Sequence, residues 1–202
     1  MTTEKLILIH ERLARLTRRI QDRDPETKQN VREEGEGFPY IEVNEGYLRT
    51  IIPWLRTHNK VLRSFCDLGC GAAAMCTIAE LIGYKWSFGV ELNETLASIG
   101  PRIIHGNLLK EETYVQVVSF INRTSLPKPI LYYSYSPIET KWSGLNFERD
   151  NYDIMFKNLE RIMGQKDRLL FVTIHEKINI IAEKYFNKSS ILRNGIRVYK
   201  KK

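Results

Sequence analysis

The chain has 202 residues and a formal charge of +7, from 31 Lys and Arg against 24 Asp and Glu. A hydrophobic share of 43% is ordinary for a folded domain and too high for a disordered one. No apolar run approaches the ~20 residues that cross a bilayer, and Leu6-Ile7-Leu8-Ile9 is too short for a signal-peptide core, so a cytoplasmic protein without a membrane partner is expected.

Residues 3–23 predict a helix, with Leu6, Ile9, Leu13, Leu16 and Ile20 on one face. Arg12, Arg15, Arg18, Arg19 and Arg23 fill much of the remainder, and Asp24-Pro25 stops it, because the residue before proline avoids the helical region. A polar connection over 24–38 leads to Phe38-Pro39-Tyr40 and a second helical pattern over 44–57.

From residue 61 strands and helices alternate. Strands are expected at Val61–Cys66, Trp86–Val90, Arg102–His105, Pro129–Tyr133 and Arg168–Ile174. Helices are expected over 72–82, 94–99, 110–122, 152–163 and 177–185. Ser190–Leu192 and Ile196–Tyr199 flank Asn194-Gly195, a dipeptide favoured in hairpin turns. Alternating βα units imply a doubly wound, mostly parallel α/β sheet ending in an antiparallel hairpin, behind an N-terminal helical extension.

Ligands of such sheets bind beyond the carboxyl ends of the strands. The first strand runs into Asp67-Leu68-Gly69-Cys70-Gly71-Ala72, where Gly69 and Gly71 let the backbone turn and approach a ligand. This spacing also satisfies the dinucleotide fingerprint. Asp67 separates the two, since a carboxylate at the mouth of the loop repels pyrophosphate and attracts a cation. Glu91, 24 residues later, ends the second strand and suits the hydroxyls of a ribose.

Cys66, Cys70 and Cys76 are odd in number, form no CxxC pair and have no histidine nearby, so they read as packing residues and no metal is expected. The charge is uneven: residues 139–202 hold 14 basic and 8 acidic residues, while the first 138 nearly balance. That surplus suits an anionic partner, nucleic acid first, or equally a solvated face.

Taken together, Asp67-Leu68-Gly69-Cys70-Gly71, Gly89-Val90-Glu91-Leu92-Asn93, His105-Gly106-Asn107-Leu108-Leu109 and Tyr133-Ser134-Tyr135-Ser136-Pro137-Ile138 resemble the four motifs of class I S-adenosylmethionine-dependent methyltransferases, in order. The resemblance implies a seven-stranded sheet, with residues 1–37 as an extension or lid and 38–202 as the cofactor-binding domain. It places Asp67, Gly69 and Gly71 at the amino-acid end of S-adenosylmethionine and Glu91 on the ribose. Asn107 stands where the family usually has aspartate facing adenine, beside the Leu108 N–H. Ser134 would line the cofactor, and Tyr40 would fold over its methionine end.

Ser136-Pro137 with Tyr135 would meet the acceptor, as a polar residue before proline does in amino-methylating relatives. Here the second proline and the aromatic residue that follows it there are absent, so Tyr132, Tyr133 or Tyr135 would stack instead. The acceptor would be a nitrogen on nucleic acid or on a protein side chain. The rival readings are a non-catalytic module binding the same cofactor, and a nicotinamide-dependent oxidoreductase. His105 and His175, at strand ends, could take a proton.

Overall fold

The structure, a computed structural model, describes residues 1–23, 43–100, 102–135, 145–173 and 176–202, with 145–149 described through their backbone alone. Two helices, α1 (Thr3–Arg23) and α2 (Glu45–His58), lead into β1 (Ser64–Leu68), α3 (Ala74–Leu81), β2 (Trp86–Glu91), α4 (Glu94–Ala97) and β3 (Ile103–His105). Then follow α5 (Glu111–Arg123), β4 (Ile130–Tyr135), α6 (Leu145–Ile162), β5 (Arg168–Val172), α7 (Glu176–Tyr185), β6 (Phe186–Ile191) and β7 (Arg197–Lys201).

The seven strands form one sheet in the order β3-β2-β1-β4-β5-β7-β6. Pairings from β3 through β5 are parallel, and β7 runs antiparallel to both β5 and β6. Order reverses between β1 and β4, whose adjacent carboxyl ends mark the switch point where doubly wound sheets bind ligands.

Helices cover both faces, so the central strands are apolar on both sides. Cys66, Leu68, Ile130, Tyr132, Leu169 and Phe171 pack toward α5, α6 and α7. Phe65, Leu131, Tyr133, Leu170 and Val172 face α2 and α3. In α6 the buried residues Tyr152, Met155, Phe156 and Leu159 follow the spacing of one helical face. The helix itself starts at Leu145, earlier than its apolar pattern, because its first turns are mostly polar.

Three expectations shift. The strand expected from Val61 begins at Ser64, because Val61 and Leu62 donate to the His58 carbonyl in the turn that closes α2. The helix expected from Ala72 begins at Ala74, after Ala73 turns left-handed at φ 57°. Most consequentially, α1 buries Leu6, Ile7, His10, Ala14 and Thr17, whereas Leu16 is exposed and Ile9, Leu13 and Ile20 are only half-buried. The buried stripe is rotated toward smaller and more polar residues, and α1 shares the core of α2 and α3.

The hairpin holds as expected. Asn194 and Gly195 both adopt positive φ (60° and 72°), and Leu192 donates to Ile196 across the turn at 2.8 Å. The Asn194 amide also donates to the Gly46 carbonyl at 3.0 Å, tying the turn to α2.

Candidate functional site at the switch point

The loop after β1 is held by its own backbone. Gly69 and Cys70 N–H groups both donate to the Val90 carbonyl, at 2.9 and 3.0 Å. The Gly71 N–H donates to Glu91 Oε2 at 2.8 Å, Ala72 N–H to Thr17 Oγ1 at 3.0 Å, and Ala73 N–H to the Cys70 carbonyl at 2.9 Å. Five successive N–H groups are thus satisfied within the protein.

Gly69 and Gly71 take φ values of 84° and 53°, in the left-handed region that other residues enter at a cost. Gly89 of β2 is needed for space instead. A Cβ there would lie 2.4 Å from Cys70 Sγ and 2.6 Å from Cys70 Cβ.

Two carboxylates frame this loop and are treated differently. Glu91, half-buried, accepts from Gly71 N–H through one oxygen and from Asn93 N–H (3.0 Å) through the other. Burial raises its pKa, and those N–H groups pull it back. Asp67 is 4% exposed and lines a small cavity with His10, Gly69, Met75, Tyr133 and Tyr135. Burial, and then the neighbouring charge of Glu91, push its pKa well above the ordinary carboxylate range.

Two side chains of α1 belong to this site and were missed in the sequence. Thr17 caps the Ala72 N–H and in turn donates to the Leu13 carbonyl at 3.1 Å. His10, 1% exposed, looks into the Asp67 cavity. Their signal was the spacing His10, Ala14, Thr17, one helical face of small or polar residues suited to close approach against a backbone loop.

Beyond β3, Asn107 builds the turn into α5. Its Oδ1 accepts from Leu109 N–H at 2.9 Å, and its carbonyl accepts from Thr113 Oγ1 at 2.7 Å. Leu108 is half-buried, with its carbonyl accepting from the Tyr114 hydroxyl at 3.0 Å. The His105 ring nitrogen Nε2 lies 2.9 Å from the Leu92 carbonyl, a contact that braces two loops.

At the end of β4 the three tyrosines separate. Tyr132 and Tyr133 are buried on opposite faces of the sheet, while Tyr135 is half-buried with its ring edge-on to Tyr47 at 5.8 Å. Tyr135 therefore shares the cavity with Asp67 and keeps accessible surface. Ser134 is fully buried on the other face, its Oγ without a partner among the described residues, and does not line that cavity. Ser136, Pro137 and Tyr40 lie outside the described residues, as do Phe38, Pro39 and His175. The three cysteines are free, buried thiols; Cys70 Sγ donates to the Gly71 carbonyl (3.6 Å) and Cys76 Sγ to that of Phe88 (3.2 Å).

No protein-family model matches the chain, and no curated protein matches it by sequence. Solved structures do. The PH0226 protein from Pyrococcus horikoshii superposes with a TM-score of 0.54 at 14% identity, over 78% of this chain and 90% of its own. A TehB-like SAM-dependent methyltransferase from Corynebacterium glutamicum gives 0.50 at 14% identity, over 75% and 87%. With the observed strand order, these likenesses define the fold as that of the class I methyltransferases.

Proposed function

We propose that this chain binds S-adenosylmethionine and transfers its methyl group to a nitrogen on a macromolecular acceptor. The observation that carries the reading is a glycine loop with its N–H groups satisfied and a carboxylate, Asp67, beside it. Pyrophosphate at such a loop needs free N–H donors and no adjacent negative charge. Here Gly69 through Ala73 already donate within the protein and Asp67 stands beside the loop, while Glu91 suits the ribose of either cofactor. A ligand with a sulfonium and an ammonium group fits the reverse pattern.

Asp67 would receive the ammonium, whose approach restores the charge that burial disfavours. Glu91 would take both ribose hydroxyls, since each of its oxygens keeps a lone pair beyond the N–H it accepts. Gly69 and Gly71 would let the backbone lie along the amino-acid end. The Leu108 N–H would serve adenine, and Asn107, with its oxygen tied to Leu109, would offer its NH₂ to a ring nitrogen. Ser134, buried on the far face, would contribute backbone alone. Tyr40 would cover the methionine end.

The cofactor supplies an electrophilic methyl group when bound. The protein's task is alignment: the Ser136 oxygen orients the acceptor amine, Pro137 fixes the backbone that aims it, and Tyr135 flanks the acceptor. A neutral amine held in line needs little base catalysis. The acceptor would be nucleic acid or a protein side chain. Arg161, Lys184, Lys188, Arg197 and Lys201, five of the 14 basic residues of the C-terminal third, pair with carboxylates. Arg193, Lys200 and the α1 residues Arg12, Arg15, Arg19 and Arg23 are exposed and favour an anionic acceptor.

Calorimetry against S-adenosylmethionine, S-adenosylhomocysteine and NAD tests the cofactor. Binding of the sulfur ligands without comparable NAD binding is expected, and tight NAD binding with neither sulfur ligand overturns the reading. Labelled-methyl transfer to separate RNA, DNA and protein pools then identifies the acceptor. Ser136→Ala is expected to slow that transfer while leaving cofactor affinity nearly intact.

A further inference from the structure

His10 is the most deeply buried titratable side chain of α1, at 1% exposure, and neither ring nitrogen has a hydrogen-bond partner among the described residues. Burial of an unpaired imidazole is costly, and a leucine at this position of a packed helix would avoid that cost. The ring faces the cavity that also holds Asp67, Gly69, Tyr133 and Tyr135. Two helical turns further on, Thr17 anchors α1 to the Ala72 N–H, so the helix has a defined position over the glycine loop.

We infer that His10 is a ligand-binding residue, its ring N–H donating to the carboxylate of the cofactor's amino-acid end while Asp67 takes the ammonium. This rests on the cofactor reading above. The amino-acid end is a zwitterion, so its site needs one anionic partner and one donor close together. Asp67 provides the first. A Lys or Arg as the second would pair with Asp67 and neutralise it. Desolvation holds the His10 pKa down to about 4, so at neutral pH the ring is an uncharged donor that leaves Asp67 available. The cavity that both residues line measures about 20 Å³, room for roughly one water, so admitting the ligand requires side chains of its wall to turn aside.

The test compares two ligands by calorimetry: S-adenosylhomocysteine, and 5′-methylthioadenosine, which lacks the amino-acid end. His10→Leu is expected to weaken the first tenfold or more and leave the second within about twofold, while raising the thermal midpoint of the free protein. His10→Gln, which keeps an N–H donor, is expected to recover part of the lost affinity and serves should His10→Leu fail to fold. Equal loss for both ligands, or no loss for either, overturns the role of His10 alone. A wild-type protein that binds neither ligand overturns the cofactor reading and this inference with it.

Discussion

The loop after β1 is tied to β2 and α1 through its backbone N–H groups, whereas the described end of β4, laddered to β1 and β5 as far as Tyr135, differs from residue to residue in where its side chains go. Around the glycine loop, N–H groups from Gly69 to Ala73 reach Val90, Glu91, Thr17 and Cys70, and Gly89 leaves room for Cys70. At β4, Ser134 points to the face opposite Tyr133 and Tyr135, and of these three the two tyrosines line the cavity. The half that would hold a cofactor is over-determined, because moving one residue disturbs several backbone partners. The half that would meet an acceptor can change its side chains without disturbing the sheet. One fold can therefore keep a ligand site and vary its chemistry.

Gly89→Ala should have the largest effect on this joined half. Its new Cβ would meet Cys70 Sγ and Cβ, both buried, and Cβ cannot swing away. Overpacking of this kind costs about 3 kcal/mol, readable as a lower urea midpoint. An unchanged midpoint would mean that the β1–β2 end is looser than it looks.

Next in size is an acid-side loss of stability carried by His10. Its pKa falls from 6.5 in the unfolded chain to about 4 in the fold, so below pH 6.5 the unfolded state binds more protons. His10 therefore lowers stability as pH falls from 6.5 to 4, by about 3 kcal/mol at most, and has no such effect above that window. Asp67 acts in the opposite sense. Its raised pKa lets the native state take up a proton first, so its contribution declines as pH rises above the ordinary carboxylate range. Urea midpoints of wild type and His10→Leu should diverge on acidification; parallel curves would place the His10 ring in contact with water.

Glu91→Ala should be smaller in stability and larger in binding. Losing two charge-assisted contacts to ribose weakens S-adenosylhomocysteine by about 1.5–3 kcal/mol, roughly ten- to hundredfold, with circular dichroism confirming the fold. Unchanged affinity would remove β2 from the ligand site.

How much of this was legible in the sequence follows the same division. Gly69, Gly71 and Glu91 could be read because tight turns and strand ends restrict residue type. The alternation of apolar strands with helical periods placed β1 to β5 and β7 to within a few residues, and Asn194-Gly195 marked the turn. By contrast β6, mostly polar and exposed, runs Phe186–Ile191 where only Ser190–Leu192 was expected. His10 and Thr17 were invisible because a hydrophobic stripe was sought on α1, and Leu6, Ile9, Leu13, Leu16 and Ile20 supplied one. The helix instead buries a narrower, more polar face, since its neighbour is a hydrogen-bonding loop rather than an oily surface. Ser134 carried no mark of the face it would take until the register of β4 was known, with Tyr133 opposite Asp67 and Ser134 opposite Leu68.

The smallest expected effects lie at β4, where two substitutions should behave differently although their residues are neighbours. Ser134 Oγ is buried without a partner among the described residues, so Ser134→Ala should leave stability equal or slightly higher, with ligand affinity unchanged. Tyr135→Leu gives up an edge-on aromatic contact with Tyr47, worth about 0.5–1.5 kcal/mol, and keeps an apolar side chain in the cavity wall. It should lower the urea midpoint slightly and leave S-adenosylhomocysteine affinity within a few-fold, yet slow methyl transfer more than either change explains. The reason is position: Tyr135 is a half-buried ring in the wall of the Asp67 cavity at the described end of β4, the side from which the proposed acceptor would approach. If Tyr135→Leu abolished binding as fully as Glu91→Ala, the end of β4 would belong to the cofactor wall. The acceptor would then approach from another side of the switch point.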